Sequence, residues 1–257
     1  MVKQLEGRFH LEEGKLTVRA VERALDILLC FTKNVDLGLT EIAGQIGLHK
    51  STVHRLLATL EEKGFVTRDV ATEKYRLGMK VWELSVHMSR SDDPAILLLP
   101  EMERLRDRLG ETVSLYLLEG KERLRIQAVQ SKQAIRRVAQ VGARLPLFVG
   151  ASSKVLVAFA SSKQQEEILN DPEWPAINDS DQYMEMLRKI QEKGYATSFE
   201  EREPGAAAIA VPIVNSQGVM TAALSLSGPV SRLSHETLAQ YAPVLIETAR
   251  EMGLMIP

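Results

Sequence analysis

Residues 50–63 read KSTVHRLLATLEEK, and Val53, Leu56, Leu57 and Leu60 fall at i, i+3, i+4 and i+7. That spacing puts one apolar stripe of an α-helix against a core. The opposite face is then defined as well: at about 100° per residue, Ser51, Arg55 and Ala58 point away from the stripe, with His54 and Thr59 beside it. Just upstream, Thr40 reads as the N-cap of a short helix whose Ile42 and Ile46 are four apart, and Gly47 ends it. Ala43 is small enough for two helices to cross closely, Gly47 takes a left-handed turn at low cost, and Val53 plugs the space between them. These offsets predict a tightly paired helix-turn-helix with one outward face.

Around this pair the sequence predicts a small domain. Residues 17–31 read as an amphipathic helix with Val21, Leu25, Leu28 and Phe31 as its inward stripe. Cys30, the single cysteine, lies in the apolar stretch LDILLCF and reads as a buried thiol. After Gly64, FVTRDV and YRL alternate as two short strands around the polar stretch ATEK, the pattern of a wing. Winged helix-turn-helix folds place the second helix in the major groove of DNA and let the wing touch backbone nearby. The predicted DNA-facing residues are Thr40, Lys50, Ser51, Thr52, His54 and Arg55 on the helices, and Arg68, Lys74 and Arg76 in the wing. Arg55 suits a base edge, whereas Lys50, Ser51 and Thr52 at a helix start suit phosphates. The competing reading is an ordinary surface helix with solvated Arg and His.

A chain of 257 residues is long enough for two unequal domains. Residues 1–90 carry 14 basic and 12 acidic side chains and the remainder 18 and 22, so a front of +2 precedes a back of −4. Charge of this size steers without specifying a fold. No apolar run reaches the roughly 18 residues of a membrane span, and the first 15 residues lack the pattern of a secretion signal, so a cytoplasmic protein without membrane contact is expected. Residues 79–89, MKVWELSVHMS, spread Val81, Trp82, Leu84, Val86 and Met88 over several faces. Such a helix needs more than one neighbour, either inside its own chain or on a second subunit of a homodimer or tetramer. Ser91 to Pro94 break the pattern. The expected division is residues 1–77 as the winged domain, 78–92 as a linker helix and 93–257 as a second domain.

The second domain reads as α+β. Strands are predicted at TVSLYLLE and RLRIQAVQ, joined at Gly120 and Lys121, and at IRRVAQV, AAAIAVPIVN and VMTAALSLSG, with a tight turn at residues 216–218. SSKVLVAFA, KQQEEILN, DQYMEMLRKIQEKG and residues 234–253 have helical spacing, so helices packed on an antiparallel sheet are expected. Gly150, Ala151, Ser152 and Ser153 precede the helix VLVAFA, where free backbone amides suit a carboxylate. The plain alternative is that Ser152 and Ser153 cap that helix. Ser225 and Ser227 share one strand face, either in a pocket or on the wet side of the sheet. VGASSKVL lacks phosphate-loop spacing, no S-x-x-K relation or triad can be assembled, and no His, Cys or acidic cluster has metal-ligand spacing. No enzyme, cofactor or metal is therefore expected.

The blocks LTVRAVERALDILLCF, LTEIAGQIGLHKSTVHRLLATLEEKGFVTRD and EKYRLGMKVWELS resemble the IclR family of bacterial transcriptional regulators. The resemblance continues into the second domain. It implies an effector-binding domain similar to GAF-type sensor folds, and a regulator of double-stranded operator DNA, a repressor in preference to an activator. It also implies a small-molecule effector, an organic acid or an aromatic compound. The effector loops of the family correspond to Ala151 and Ser152, to Ser198 after the Gly-Tyr turn, and to Ala208 after the Pro-Gly turn. Some relatives carry an acidic residue and a cysteine at the last two positions. Here Ser198 and Ala208 stand instead, and Phe148 stands where histidine is frequent; together these departures favour a bulkier or less polar effector. The competing classes are a metabolic enzyme, which would need a nucleophile with its base or a metal triad in the C-terminal half, and a protein-interaction module.

Overall fold

The computed structural model describes residues 18–32, 34–88, 93–171, 174 and 180–256. The export-signal reading of the first 15 residues, His10, the helix start at Thr17, and Ser91 and Asp92 at the domain boundary lie outside the described residues, as do the side chain of Met88 and Ser89. Contacts divide the chain into two compact units, Met1–Met88 and Ser89–Pro257.

In the first unit α1 (Arg19–Cys30), α2 (Leu39–Ile46) and α3 (Lys50–Glu62) pack around Ile27, Ile42, Val53 and Leu57, each 0% exposed. β1 (Val66–Arg68) and β2 (Tyr75–Leu77) form the wing hairpin, Val66 opposite Leu77 and Arg68 opposite Tyr75. Leu37 adds a further antiparallel bridge on the other side of β2 by exchanging both backbone hydrogen bonds with Tyr75, at 3.0 and 2.8 Å. α4 (Met79–Met88) starts against the same unit, because the Gly78 amide donates to the Phe65 carbonyl at 2.8 Å. A Cβ on Gly78 would lie 2.2 Å from the Gly64 carbonyl oxygen, so only glycine permits this approach.

Two local expectations change. The N-cap of α2 is Gly38, not Thr40, which is an exposed residue of the first turn; the Glu41 carboxylate accepts the Gly38 amide at 2.6 Å and does the capping instead. In α1 the buried face is Ile27, Cys30 and Phe31, while Val21 and Leu25 of the expected inward stripe are 55% and 53% exposed. The helix is apolar on two sides, and tertiary packing selects the one whose i, i+3, i+4 spacing meets α2 and α3. Cys30 is buried and unbridged, and burial pushes its thiol above the usual range.

In the second unit α5 (Pro94–Leu97) and α6 (Leu99–Leu109) lead into β3 (Thr112–Glu119) and β4 (Glu122–Val129), followed by β5 (Arg144–Pro146). Next come α7 (Ala151–Ala158), α8 (Ser162–Leu169), α9 (Ser180–Lys193), β6 (Ala196–Phe199), β7 (Ala206–Val214), β8 (Met220–Pro229) and α10 (His235–Met255). The sheet runs β5-β4-β3-β8-β7-β6 with every neighbour antiparallel. Side chains of one face, such as Leu115, Leu224 and Ile209, pack with α6 and α10; Tyr116, Ala223 and Ala210 on the other pack with α7 and α9.

The strand expected at IRRVAQV is not formed. Its backbone is held by side chains instead, Thr112 Oγ1 donating to the Arg137 carbonyl at 2.8 Å and Arg125 Nη1 to the Gln140 carbonyl at 3.1 Å. The edge strand is β5, with Leu124 opposite Arg144 and Glu122 opposite Pro146, which suits an edge because proline donates nothing to a ladder.

Candidate functional site

α2 ends at Gly47 with φ +65°, the left-handed conformation that lets the chain reverse into α3 within the few residues 47–49. α3 turns Val53 and Leu57 fully inward, and Ser51, His54, Arg55 and Ala58 are exposed, as the periodicity requires; Thr52 is half-buried. His49 is the N-cap and supplies no side-chain cap, so the first amides of α3 have no intrahelical partner. Among the described residues neither Lys50 nor Arg55 forms an ion pair or side-chain hydrogen bond, and the Lys74 ammonium is likewise without a carboxylate. The wing arginines are held differently. Arg68 Nη2 is 3.0 Å from Glu73 and its guanidinium lies 5.7 Å above the Tyr75 ring, while Arg76 pairs with Asp36 at 3.2 Å and Asp69 at 3.5 Å. Asp69 in turn accepts the Ala71 and Thr72 amides at 2.9 Å, and these bonds hold its carboxyl below the usual range.

The second unit contains a small polar cavity. Gly150, Ala151, Ser152, Ser198, Ala208, Ser225 and Ser227 all line it, together with Tyr116, Arg123, Arg137, Arg202, Glu203, Ala206 and Ala207. The register explains the convergence, because residues directly opposite in an antiparallel ladder share a face. One row across the sheet is Thr112, Ser227, Ala208 and Ser198, and the next is Ser114, Ser225, Ala210 and Ala196. Gly150, Ala151 and Ser152 at the start of α7 line the cavity opposite this face. Its open volume is about 50 Å³.

Two expected members fall outside. Ser153 is fully buried and its hydroxyl turns back to the carbonyls of Val149 and Gly150, at 2.7 and 2.6 Å, so it serves the helix start rather than the cavity. Phe148 is 48% exposed and meets Trp174 edge-on at 6.2 Å. The expectation of a bulkier, less polar effector then has Ser198 and Ala208, which line the cavity, and not Phe148 as its support.

The cavity's electrostatics come from residues that the sequence reading passed over. Arg123 is 2% exposed; its Nη1 donates to the Val149 carbonyl at 2.8 Å, its guanidinium lies 5.5 Å over the Tyr116 ring, and its buried Nε has no partner. Burial, with Arg202, Arg125 and Arg137 nearby, lowers its pKa to about 10, so it remains charged at neutral pH. Arg125 gives both Nε and Nη2 to the Tyr116 hydroxyl, at 3.0 and 2.7 Å. Glu203 accepts two bonds from Arg137 and one from Arg202, and its carboxyl is held down at about 2 chiefly by Arg137. The lining thus carries three guanidinium groups against one carboxylate. The available signal was Arg123 and Arg125 alternating inside RLRIQAV: two cations on one face of a strand read as a wet face until the fold covers it.

Two family models match the chain. That for the IclR helix-turn-helix domain covers residues 20–70, and that for the bacterial transcriptional regulator IclR C-terminal covers residues 90–254. The chain belongs to the IclR family. Among the relatives of this IclR-family chain is the HTH-type transcriptional regulator XynR of Escherichia coli K12, 34% identical over 93% of this chain and 96% of that one. The transcriptional repressor IclR of the same organism is 27% identical over 92% of this chain and 89% of its own length. An IclR homolog from Microbacterium hydrocarbonoxydans, solved with 4-hydroxybenzoate, superposes with a TM-score of 0.80 at 28% identity, covering 92% of this chain and 98% of that one. These relatives are regulators, not enzymes, and the chain is a transcriptional regulator with a C-terminal ligand-binding domain. Among the described residues no helix is long and apolar enough to cross a membrane, and no group of three or more His, Cys, Asp or Glu could hold a metal.

Proposed function

We propose that this IclR-family chain represses transcription from an operator in the cytoplasm, and that a small organic molecule in the cavity beneath α7 controls it. The observation that carries the DNA half is the outward face of α3. Arg55 and Lys50 are unpaired there, while Val53 and Leu57 anchor the helix from behind. Arg55 is the reader of a base edge, Lys50, Ser51 and Thr52 hold phosphates at the helix start, His54 and Thr40 flank them, and Lys74 is the wing's free cation. Arg68 and Arg76 sit in exposed ion pairs worth at most about 1 kcal/mol, which a phosphate can displace. Repression is supported by the E. coli repressor among the relatives. An effector acts by preferring one arrangement of the protein, and a tenfold preference supplies about 1.4 kcal/mol of coupling.

The operator-binding form is a homodimer, or a tetramer built from such dimers. Val21 and Leu25 on α1 are more than half exposed and border an apolar groove of about 410 Å³ that includes Leu56 and Phe65, and Leu29 is exposed beyond it. Trp82 and Leu84 on α4, 61% and 52% exposed, extend the uncovered apolar surface of this unit. A second copy covering these faces would pair two α3 helices for two half-sites. Gel shifts of the full chain against fragments of a bacterial genome test the reading: binding that falls steeply with added salt supports it, and salt-insensitive or absent binding removes it.

A further inference from the structure

We propose that the groove formed by α9, β6 and the start of α10 is a second ligand site, separate from the cavity beneath α7, and that it takes a phosphate monoester carrying a flat ring, of the kind a nucleoside monophosphate represents.

The first observation is a groove of ligand size. Its open volume is about 370 Å³, inside the range of roughly 300–1,000 Å³ in which proteins hold small organic molecules. It shares no lining residue with the cavity beneath α7. Ile190 and Ala196, both buried, line it together with Met186 and Ala239, so part of its wall is apolar. Two rings border that wall. Tyr195 is one, and His235 is the other, packed against Phe199 with ring centroids 3.6 Å apart. Side chains of this kind offer a flat body faces and edges to pack on.

The second observation is charge. Met186, Lys189, Ile190 and Lys193 fall at i, i+3, i+4 and i+7, so one face of α9 presents two apolar side chains interleaved with two ammonium groups to the groove. Lys154 of α7 brings a third ammonium, and among the described lining residues there is no carboxylate. Lys154 is matched, because it pairs with Glu201 and donates to the Thr197 carbonyl at 3.0 Å. The lysines of α9 are not. Glu185 is 2.7 Å from Arg188 but 3.6 Å from Lys189, and among the described residues Lys193 has no ion pair. Like charges one turn apart weaken a helix, and an anion lying across both removes that cost.

The third observation is the type of cation. All three are lysines. The planar fork of arginine matches a carboxylate, whereas an ammonium is a compact point charge that serves a tetrahedral phosphate from any side. Among the described residues the Tyr195 hydroxyl and the His235 imidazole make no side-chain hydrogen bond, so both are free for a phosphate oxygen or a ring heteroatom.

The test is calorimetric titration of the full chain with AMP and with flavin mononucleotide, with adenosine as the match that lacks the phosphate and inorganic phosphate as the match that lacks the ring. Saturable binding of AMP or flavin mononucleotide is expected, at least tenfold tighter than that of adenosine or phosphate. It should fall at least tenfold in the double variant Lys189→Gln, Lys193→Gln and stay unchanged in Ala208→Val, which narrows the cavity beneath α7. No saturable binding of either nucleotide, adenosine or phosphate binding as tightly as AMP, or wild-type affinity in the double variant overturns the proposal. Loss of AMP binding in Ala208→Val places the ligand beneath α7 and overturns it too. Should the double variant fail to fold, AMP compared with adenosine and phosphate on the wild-type chain and on Ala208→Val decides the matter.

Discussion

Gly150 and Arg123, on different elements, are in contact: the guanidinium occupies the space into which any side chain at position 150 would project, 3.1 Å from its Cβ. Gly150 also sits at φ +98°, ψ 157°, a conformation open essentially to glycine alone. Gly150→Ala is therefore expected to destabilise the C-terminal unit by about 1–3 kcal/mol. It should also push Arg123 out of place. Urea denaturation monitored by circular dichroism checks the first, and a stability equal to wild type would show that the backbone relaxes there.

The recognition face yields a paired prediction. Arg55→Ala should cost about 1–3 kcal/mol and relax discrimination at one operator position, whereas Lys74→Ala should weaken all sequences and lower the salt slope by about 1. Titrations of operator and scrambled duplexes at several salt concentrations separate the two. Indistinguishable profiles for the two variants would refute the division between base reader and phosphate holder.

Leu57 stands directly behind that face and is completely buried. Leu57→Ala is expected to cost about 2–5 kcal/mol of stability in the N-terminal unit. Arg55→Ala, an exposed change, should leave stability within about 0.5 kcal/mol of wild type. Denaturation curves of both variants make the comparison; a silent Leu57→Ala would mean that α3 does not lean on this core.

Glu203 carries the acid-side prediction. Its carboxyl falls from an ordinary 4.5 to about 2 in the folded chain, first because of the Arg137 bonds. A lowered folded value means the stabilisation is fully present above pH 4.5 and is lost as pH drops from there through about 2. Its side chain is 51% exposed, so solvent screening keeps the contribution to about 1 kcal/mol or less. Glu203→Gln should flatten the decline of melting temperature over that interval, and an unchanged slope would assign the acid sensitivity to other carboxylates.

Much of the first unit was legible because its signals are local. The apolar period of α3, the left-handed glycine at position 47 and the alternation in FVTRDV each act within a few residues, and α2, α3 and the hairpin form where those signals stand. The cavity was half legible: the α7 loop was expected there, Ser198 through the family resemblance alone, and Ser225 and Ser227 either there or on the wet side of the sheet. Arg123, Arg137 and Glu203 were not, since none carries a local mark of burial. The strand expected at IRRVAQV failed for a related reason, because alternation marks a capacity to pair but cannot say which segment reaches the edge first.

By itself, then, the sequence determined the helix-turn-helix pair, the wing hairpin and the long central strands, and which face of α3 meets solvent, for these follow from periodicities that the backbone enforces on near neighbours. Only the tertiary structure decided which of the two apolar sides of α1 is buried. It also decided that a guanidinium on β4 would lie uncompensated against the start of α7. Both depend on contacts between elements distant along the chain, where register and packing, and not propensity, choose what a charged side chain meets.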